Sequence, residues 1–193
     1  MDIVTRIKEI LTAPKKEWAV IEGEHAPHAS VFMGYVLPLS LIPAIAAFIG
    51  YGLLGYSAFG VHYHSISWGI RQAVSHWIII AGGVYLTAWV VNFLAENFGA
   101  KKDFNQAFSL VAYSYTPMYL GGIFYILPSI SVLASLAGLY GLYILYVGMQ
   151  PMMKAPADKN TGYFIVSLLA TIVVSVIVSV VLGAILVSSS FLK

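Results

Sequence analysis

Cysteine is absent from this chain of 193 residues, which excludes disulfides, thiolate metal sites and cysteine nucleophiles. Charged residues are also scarce, at 9% of the chain, whereas soluble domains carry about 25%. Hydrophobic residues make up 60% of the sequence, and the mean hydropathy is +0.85. A soluble protein of this composition could not cover its surface with polar side chains, so the sequence predicts an integral membrane protein.

The sequence also lacks the motifs of common enzymes, among them the phosphate loop, the H-E-x-x-H zinc motif and the G-x-S-x-G nucleophile elbow. No acidic residue lies deep in an apolar stretch, and Glu96 comes closest. Charged side chains at membrane depth usually serve transport or proton transfer. We therefore expect neither an enzyme nor an ion-coupled pump, and we expect no cofactor and no nucleic-acid partner.

Apolar stretches long enough to cross a bilayer, which takes about 20 residues, occur five times in the chain. They run approximately over residues 31–56, 71–97, 105–127, 129–150 and 163–190. Only Pro128 and its neighbours separate the third from the fourth, which predicts a tight helical hairpin. The predicted fold class is therefore all-α, a polytopic membrane protein with five transmembrane helices.

The basic residues predict the orientation of these helices. With five crossings, the lysines and arginine before the first span fall on the same side as Lys101, Lys102, Lys154 and Lys159, and only Arg71 and Lys193 fall on the other. Basic residues favour the cytoplasmic side. We therefore expect a cytoplasmic N-terminus and an external C-terminus.

Residues 1–30 form a separate segment before the membrane domain of residues 31–193. Ile3, Ile7, Ile10 and Leu11 recur at helical spacing, which predicts a short amphipathic helix. We expect this segment to lie at the membrane interface, either as a tether beneath the bundle or as a surface for a partner. Its expected interface residues are Arg6, Lys8, Lys15, Lys16 and Trp18.

The third span contains a proline among hydroxyl-bearing residues, in the stretch VAYSYTPMYLGG. Pro117 removes the N–H that would bond the Tyr113 carbonyl, and an unpaired carbonyl is costly in lipid. Ser114, Thr116 or a facing tyrosine could supply the missing donor. We expect this span to face protein, with Gly121 and Gly122 allowing close helix contact and with Tyr140 and Tyr143 joining Tyr113 in a polar interior.

Small residues recur every four positions along the fifth span, which places them on one helix face. They are Ser167, Thr171, Ser175, Ser179 and Gly183. Such a ridge lets another helix approach closely. The partner helix could belong to the same bundle, to a second copy of the chain or to another membrane protein.

Histidines are the weak candidates for a metal site. His62, His64 and His76 are all expected on the outer side of the membrane. Imidazole is a common ligand for transition metals, but no carboxylate accompanies these residues. His76 is better explained by a side chain that points outward or bonds to a neighbouring backbone, and we expect no bound metal.

The chain resembles the Yip domain family of five-span membrane proteins, and within it the small bacterial inner-membrane members. The resemblance lies in AYSYTPMYL, in LYGLYILYVGMQPMMKAPADKNTGY and in the order of the spans. It implies family positions at Tyr113, Pro117, Tyr140, Gly141, Lys154 and Pro156. For eukaryotic members the resemblance implies Golgi membranes and binding of prenylated Rab GTPases through a long acidic N-terminal region. This chain has only about thirty residues there, so we do not expect it to bind a GTPase.

Two functions are compatible with these features. The first is a membrane scaffold that acts through helix contacts with copies of itself or with other membrane proteins. The second is a transporter or channel for a small neutral or amphipathic solute, whose path Tyr113, Thr116, Pro117 and Tyr140 would line, because transporters often contain broken helices.

Overall fold

In the computed structural model the backbone is described for residues 2–58 and 61–190, and the side chains for residues 2–55, 64–178 and 180. Helix α1 (Ile3–Thr12) begins at Asp2, whose carboxylate accepts hydrogen bonds from the Val4 and Thr5 amides. Helix α2 (Pro14–Glu24) begins at a proline, which suits the first position of a helix. The predicted amphipathic helix is therefore the first arm of a helical hairpin.

The first long helical segment runs from His28 to Leu54. It consists of α3 (His28–Val31), a π-helical stretch (Phe32–Val36), α4 (Leu37–Ala47) and a second π-helical stretch (Phe48–Leu54). Pro38 and Pro43 lie within it and lack the amide that a regular helix needs. The first π-helical stretch includes Gly34, whose carbonyl has no helical amide at Pro38.

The loop after this segment contains a short antiparallel pair of strands, β1 (Tyr56–Ala58) and β2 (Val61–Tyr63). Helix α5 (Ile66–Leu94) follows and ends in a 3-10 turn, Ala95–Phe98. The predicted span began at residue 71, whereas the helix begins five residues earlier. Ser65 caps its start, because the Ser65 hydroxyl accepts a hydrogen bond from the Trp68 amide.

The predicted third span is broken into three parts. They are α6 (Phe104–Ser114), α7 (Thr116–Gly121) and a 3-10 stretch, Gly122–Ile126. A further 3-10 turn, Pro128–Ile130, leads to α8 (Val132–Met153), and the chain continues to α9 (Asn160–Ser190). The break at Tyr115 follows from Pro117, because a proline disrupts the helical bond to the residue four positions before it.

Contacts between loops define two ends of the bundle. At one end, the Lys101 amide donates to the Met153 carbonyl at 2.7 Å, and the His28 amide donates to the Asn105 side chain at 2.9 Å. At the opposite end, the rings of His76 and Tyr125 lie 4.6 Å apart. The broken segment therefore runs the length of the bundle, antiparallel to α5 and α8.

Four helical segments are long and apolar enough to cross a membrane on their own, within the described residues: His28–Leu54, Ile66–Phe98, Val132–Met153 and Asn160–Val178. These match four of the five predicted spans, and the predicted helical class is correct apart from the small β-hairpin. The broken segment is missing from this set because Pro117 divides it into short helices. Its helical parts still extend about 35 Å, against about 30 Å of hydrocarbon.

The broken segment lies in the centre of the core, and the N-terminal hairpin contributes one buried face to it. Residues 106–114 of α6 are buried without exception. Ile10, Trp18 and Ile21 of the hairpin belong to the same cluster as Phe108 and Met149. The hairpin is thus part of the bundle's packing, and it does not lie apart from it on the membrane surface.

Candidate functional site

A chain of hydroxyl groups bridges the proline break. The Thr116 hydroxyl donates to the Tyr113 carbonyl at 2.6 Å, which is the carbonyl that Pro117 leaves without an amide. The Tyr35 hydroxyl lies 2.7 Å from the Thr116 oxygen. Because Thr116 uses its proton for the carbonyl, Tyr35 is the donor in this second bond. The break is therefore closed by side chains, and no water is needed there.

Neighbouring polar groups on the broken segment also bond within the protein. The Ser114 hydroxyl donates to the Leu110 carbonyl at 2.7 Å. The Tyr115 hydroxyl pairs with the Thr87 hydroxyl of α5 at 3.0 Å. The hydroxyl of Tyr119 is buried without a hydrogen-bond partner among the described residues. Of these hydroxyls, Ser114 therefore bonds within its own helix, while Tyr115 bonds to a neighbouring one.

Glycines allow α8 and α4 to approach the broken segment closely. A β-carbon at Gly141 would lie 2.7 Å from the Ser114 carbonyl oxygen. A side chain at Gly121 would collide with Ala137, and one at Gly122 would collide with Pro43. Such contacts have no room for a methyl group, so the backbones touch directly on both sides of Pro117.

Tyr140 does not join Tyr113, which corrects the expected polar interior. Its side chain is 38% exposed on the outer face of α8, where it stacks on Tyr143. Its hydroxyl donates to the Leu11 carbonyl at 2.7 Å, at the end of α1. The buried face of α8 instead carries Gly141, Ile144 and Gly148, and Tyr140 lies at its edge, one turn before Ile144.

The N-terminal hairpin is held by a buried ion cluster. The Arg6 guanidinium pairs with Glu17 and with Glu24 of α2, and it lies 5.2 Å from the centre of the Tyr113 ring. Arg6 and Glu17 are each only 4% exposed at the side chain. Arg6, which was expected among the interface residues, is therefore buried, and its charge is neutralised inside the protein.

The second helix of the hairpin lies against α8. The Trp18 indole N–H donates to the Ile144 carbonyl at 3.1 Å, and the ring occupies the space beside Gly148. Trp18 is fully buried, whereas Lys8, Lys15 and Lys16 are exposed. Of the five expected interface residues, three therefore face outward while Arg6 and Trp18 attach the hairpin to the bundle.

Lys154 connects the hairpin to the loop after α8. It ends that helix in the left-handed conformation, with φ of 53°, and its ammonium lies 2.7 Å from the Glu22 carboxylate. This contact lowers the pKa of Glu22 below its ordinary value. Pro156 in the same loop lies beside Gly99. The two predicted loop residues thus hold three segments together at one end of the bundle.

The small-residue ridge of α9 is only partly in contact with a helix. Ser167 is buried, and the Thr171 hydroxyl donates to its carbonyl at 2.8 Å. Thr171 and Ser175 border an apolar cavity of about 930 Å³ between α5, the broken segment and α9. The side chain of Ser179 and position 183 lie outside the described side chains.

Among the described side chains, the candidate metal ligands do not form a cluster. The Nδ1 atom of His76 lies 2.8 Å from the Gln72 carbonyl, and the ring packs on Tyr125. The side chain of His62 lies outside the described residues, and His64 is exposed. Within the described part of the chain, no three His, Cys, Asp or Glu side chains are placed to hold a metal ion.

The residues expected to line a solute path do not share one. Thr116 is fully buried and used in the hydroxyl chain, and Tyr140 lies on the outer face of α8. Tyr113 borders a different cavity, of about 430 Å³, beside the N-terminal hairpin. This arrangement gives no support to transport through the broken span.

Several residues of this region were not singled out by the sequence. Tyr35, Glu17, Glu24 and Gly148 each act through partners far along the chain, such as Tyr35 and Thr116, which are 81 positions apart. The Trp18 bond to Ile144 spans 126 positions. A periodic pattern shows which face is apolar, but it does not show which partner that face meets.

Comparison with known proteins agrees with this architecture. The family model of the Yip1 domain matches residues 8–189. The chain belongs to the Yip1 domain family. The matched range includes most of the N-terminal hairpin and the whole broken segment, so both belong to the Yip1 domain.

Two curated relatives of the Yip1 chain are similar over part of their length. Both are named inner membrane protein YohC, one from Escherichia coli strain K12 and one from E. coli O6:H1. Each is 26% identical over 127 residues, a stretch that covers 65% of this chain and 65% of the relative. No solved structure matches the chain.

Proposed function

We propose that this Yip1-family chain is a non-enzymatic scaffold of the bacterial inner membrane, which contacts other membrane proteins or its own copies through α9. The location is supported by the name of the E. coli relatives. The absence of a catalytic role is supported by the broken segment, whose hydroxyls bond within the protein at Thr116, Ser114 and Tyr115.

The observation that carries the proposal is the exposure of α9. The Tyr163 hydroxyl donates to the Val91 carbonyl at 2.5 Å, and Ser167 is buried one turn later. Beyond these contacts, large apolar side chains are about half exposed, namely Leu169, Ile172, Val173, Val176 and Ile177. A helix so little covered by its own chain offers a long surface to a partner helix in the membrane.

We further propose that the broken segment is a full fifth crossing and that the hairpin end of the bundle faces the cytoplasm. Lys101, Lys154 and Lys159 all lie at that end, where Lys154 pairs with Glu22 of the hairpin. Basic residues concentrate on the cytoplasmic side of membrane proteins. The C-terminal end of α9 would then lie outside.

Site-specific photo-crosslinking in native membranes tests the scaffold. A photoreactive residue at Ile172 or Val176 should give a discrete protein adduct, either a second copy or one recurrent neighbour. The matched control is Leu136 on α8, which is as exposed as Val176, at 56%. Adducts only with lipid at all three positions, or identical protein adducts from α8 and α9, would contradict the proposal.

A further inference from the structure

A polar cavity of about 430 Å³ lies beside the N-terminal hairpin, between α1, the end of α2 and the start of the first long helix. Its polar lining consists of Asp2, Arg6, Glu24, Ser30, Tyr35 and Tyr113. We propose that this cavity binds the primary ammonium group of a ligand. Free aliphatic amines and the ethanolamine head of a phospholipid both carry that group.

The charges around the cavity favour a cation. Asp2 and Glu24 border it, Glu17 lies behind Arg6, and Arg6 is the one guanidinium among them. Three carboxylates against one guanidinium leave a net charge of −2 for these four groups. An anion would be repelled, because the positive charge of Arg6 is already compensated by two glutamates.

Tyr113 supplies a second and independent indication of a ligand. Its side chain is only 7% exposed, and it borders the cavity. Its ring contacts Tyr35 and Arg6, yet its hydroxyl makes no hydrogen bond within the residues that the structure describes. This oxygen is not among the fully buried polar atoms that lack a partner, so it opens on the cavity, where it can accept a hydrogen bond from a donor.

A primary ammonium group matches this set of acceptors. It has three N–H donors and no acceptor, which suits the carboxylates of Asp2 and Glu24 together with the Tyr113 oxygen. The Tyr35 ring adds an aromatic surface of the kind that attracts cations. A quaternary ammonium has no N–H group, so it cannot make the same bonds and should bind much more weakly.

The position of the cavity fits ligands from the membrane or from the adjoining solution. Ser30 lies in the first turn of the first long helix, and Glu24 lies at the end of α2 near the Glu22–Lys154 pair. The cavity extends from there to Tyr35 and Tyr113, which lie about two turns inside the first long helix and α6. The inference does not depend on the proposed scaffold, because it concerns the hairpin and not α9.

The test uses the full chain in nanodiscs of phosphatidylglycerol, a lipid without an amine. Ethanolamine is titrated by calorimetry, with choline as the quaternary control. A lipid arm measures whether phosphatidylethanolamine is enriched around the protein when it is purified from mixed lipids. Saturable binding of ethanolamine identifies a free amine as sufficient, while selective enrichment of phosphatidylethanolamine alone identifies the lipid head as the source.

The deciding variant is Tyr113→Phe, which removes the hydroxyl and keeps the ring under Arg6. It should weaken binding by about tenfold or more, the range for a hydrogen bond to a charged group. Tyr143→Phe on the exposed face of α8 should leave binding unchanged. The inference is overturned if neither source binds, if choline binds as well as ethanolamine, or if Tyr113→Phe binds as well as the unaltered chain.

Discussion

Thr116 is the residue on which the proline break depends. It donates to the Tyr113 carbonyl and accepts from the Tyr35 hydroxyl. Replacement by valine keeps the shape but leaves both of those groups buried and unpaired, at a cost of about 1–3 kcal/mol each. We expect Thr116→Val to lower the midpoint of thermal unfolding in detergent, while Thr116→Ser, which keeps the hydroxyl, should remain close to the unaltered chain. Equal midpoints for both variants would contradict this role.

Gly141 and Gly138 form a matched pair on α8. A β-carbon at Gly141 would lie 2.7 Å from the Ser114 carbonyl oxygen, whereas one at Gly138 would meet nothing within 4 Å. Gly141→Ala should therefore destabilise the protein by about 1–3 kcal/mol through overpacking. Gly138→Ala should be neutral or slightly stabilising, because alanine favours helix. Detergent unfolding curves of the two variants would be compared, and similar losses of stability would argue against direct backbone contact at Gly141.

At the scale of single residues, the sequence predicted which groups require a hydrogen-bond partner better than it predicted which residues supply it. Pro117 implied an unpaired carbonyl at Tyr113, and Thr116 was among the donors expected for it. The burial of Arg6 could not be read in the same way, since its two glutamates lie 11 and 18 positions away and only the folded hairpin brings them together. The position of Tyr140 could not be predicted for a related reason, because its hydroxyl donates to a carbonyl of α1 outside the core.

Among the elements, the N-terminal hairpin is attached to the bundle through Trp18 beside Gly148. Gly148→Val should push α2 away from α8 and expose the buried face of α1. Since the chain has no cysteine, Ile10→Cys can report this change by labelling with a membrane-impermeant maleimide. Ile10 is fully buried, so labelling should rise several-fold in the Gly148→Val background.

The exposed position Lys8→Cys provides the control for that experiment. It should label equally with glycine or valine at position 148, because its side chain is already exposed. If Ile10→Cys is protected to the same degree in both backgrounds, the hairpin is not held by the Trp18 contact.

The hairpin should also respond to pH through the Glu22–Lys154 pair. Because Lys154 lowers the pKa of Glu22, this contact stabilises docking fully above the ordinary glutamate pKa and is lost as the pH falls through the lowered value. Limited proteolysis of the hairpin should thus be faster in Glu22→Gln than in the unaltered chain at about pH 6, and the difference should be smaller at about pH 4, below the ordinary glutamate pKa. The pair is exposed, so the effect should be small. A constant difference at both pH values would contradict it.

The amphipathic pattern of α1 predicted a helix correctly but did not predict where it lies. An apolar face such as that of Ile3, Ile7 and Ile10 can be buried equally well by lipid or by neighbouring helices. Two features place this helix against the bundle, namely the ion cluster of Arg6 and the space beside Gly148. Both depend on residues elsewhere in the chain. The same holds for the small-residue ridge of α9, because Ser167 is buried whereas Thr171 and Ser175 border a cavity.

For the whole molecule, the number of crossings decides which ends share a compartment. The long apolar stretches predicted four helical spans directly. A fifth crossing requires that residues 104–126, which Pro117 divides into short helices, pass through the whole membrane. We expect Lys8→Cys, Lys101→Cys and Lys159→Cys to label from the cytoplasmic side, and Ser129→Cys to label only from the outer side. If the broken segment turned back within the membrane, Ser129→Cys would label from the same side as Lys101→Cys. That result would leave four crossings, although the hydroxyl bonds at Thr116 would be unchanged.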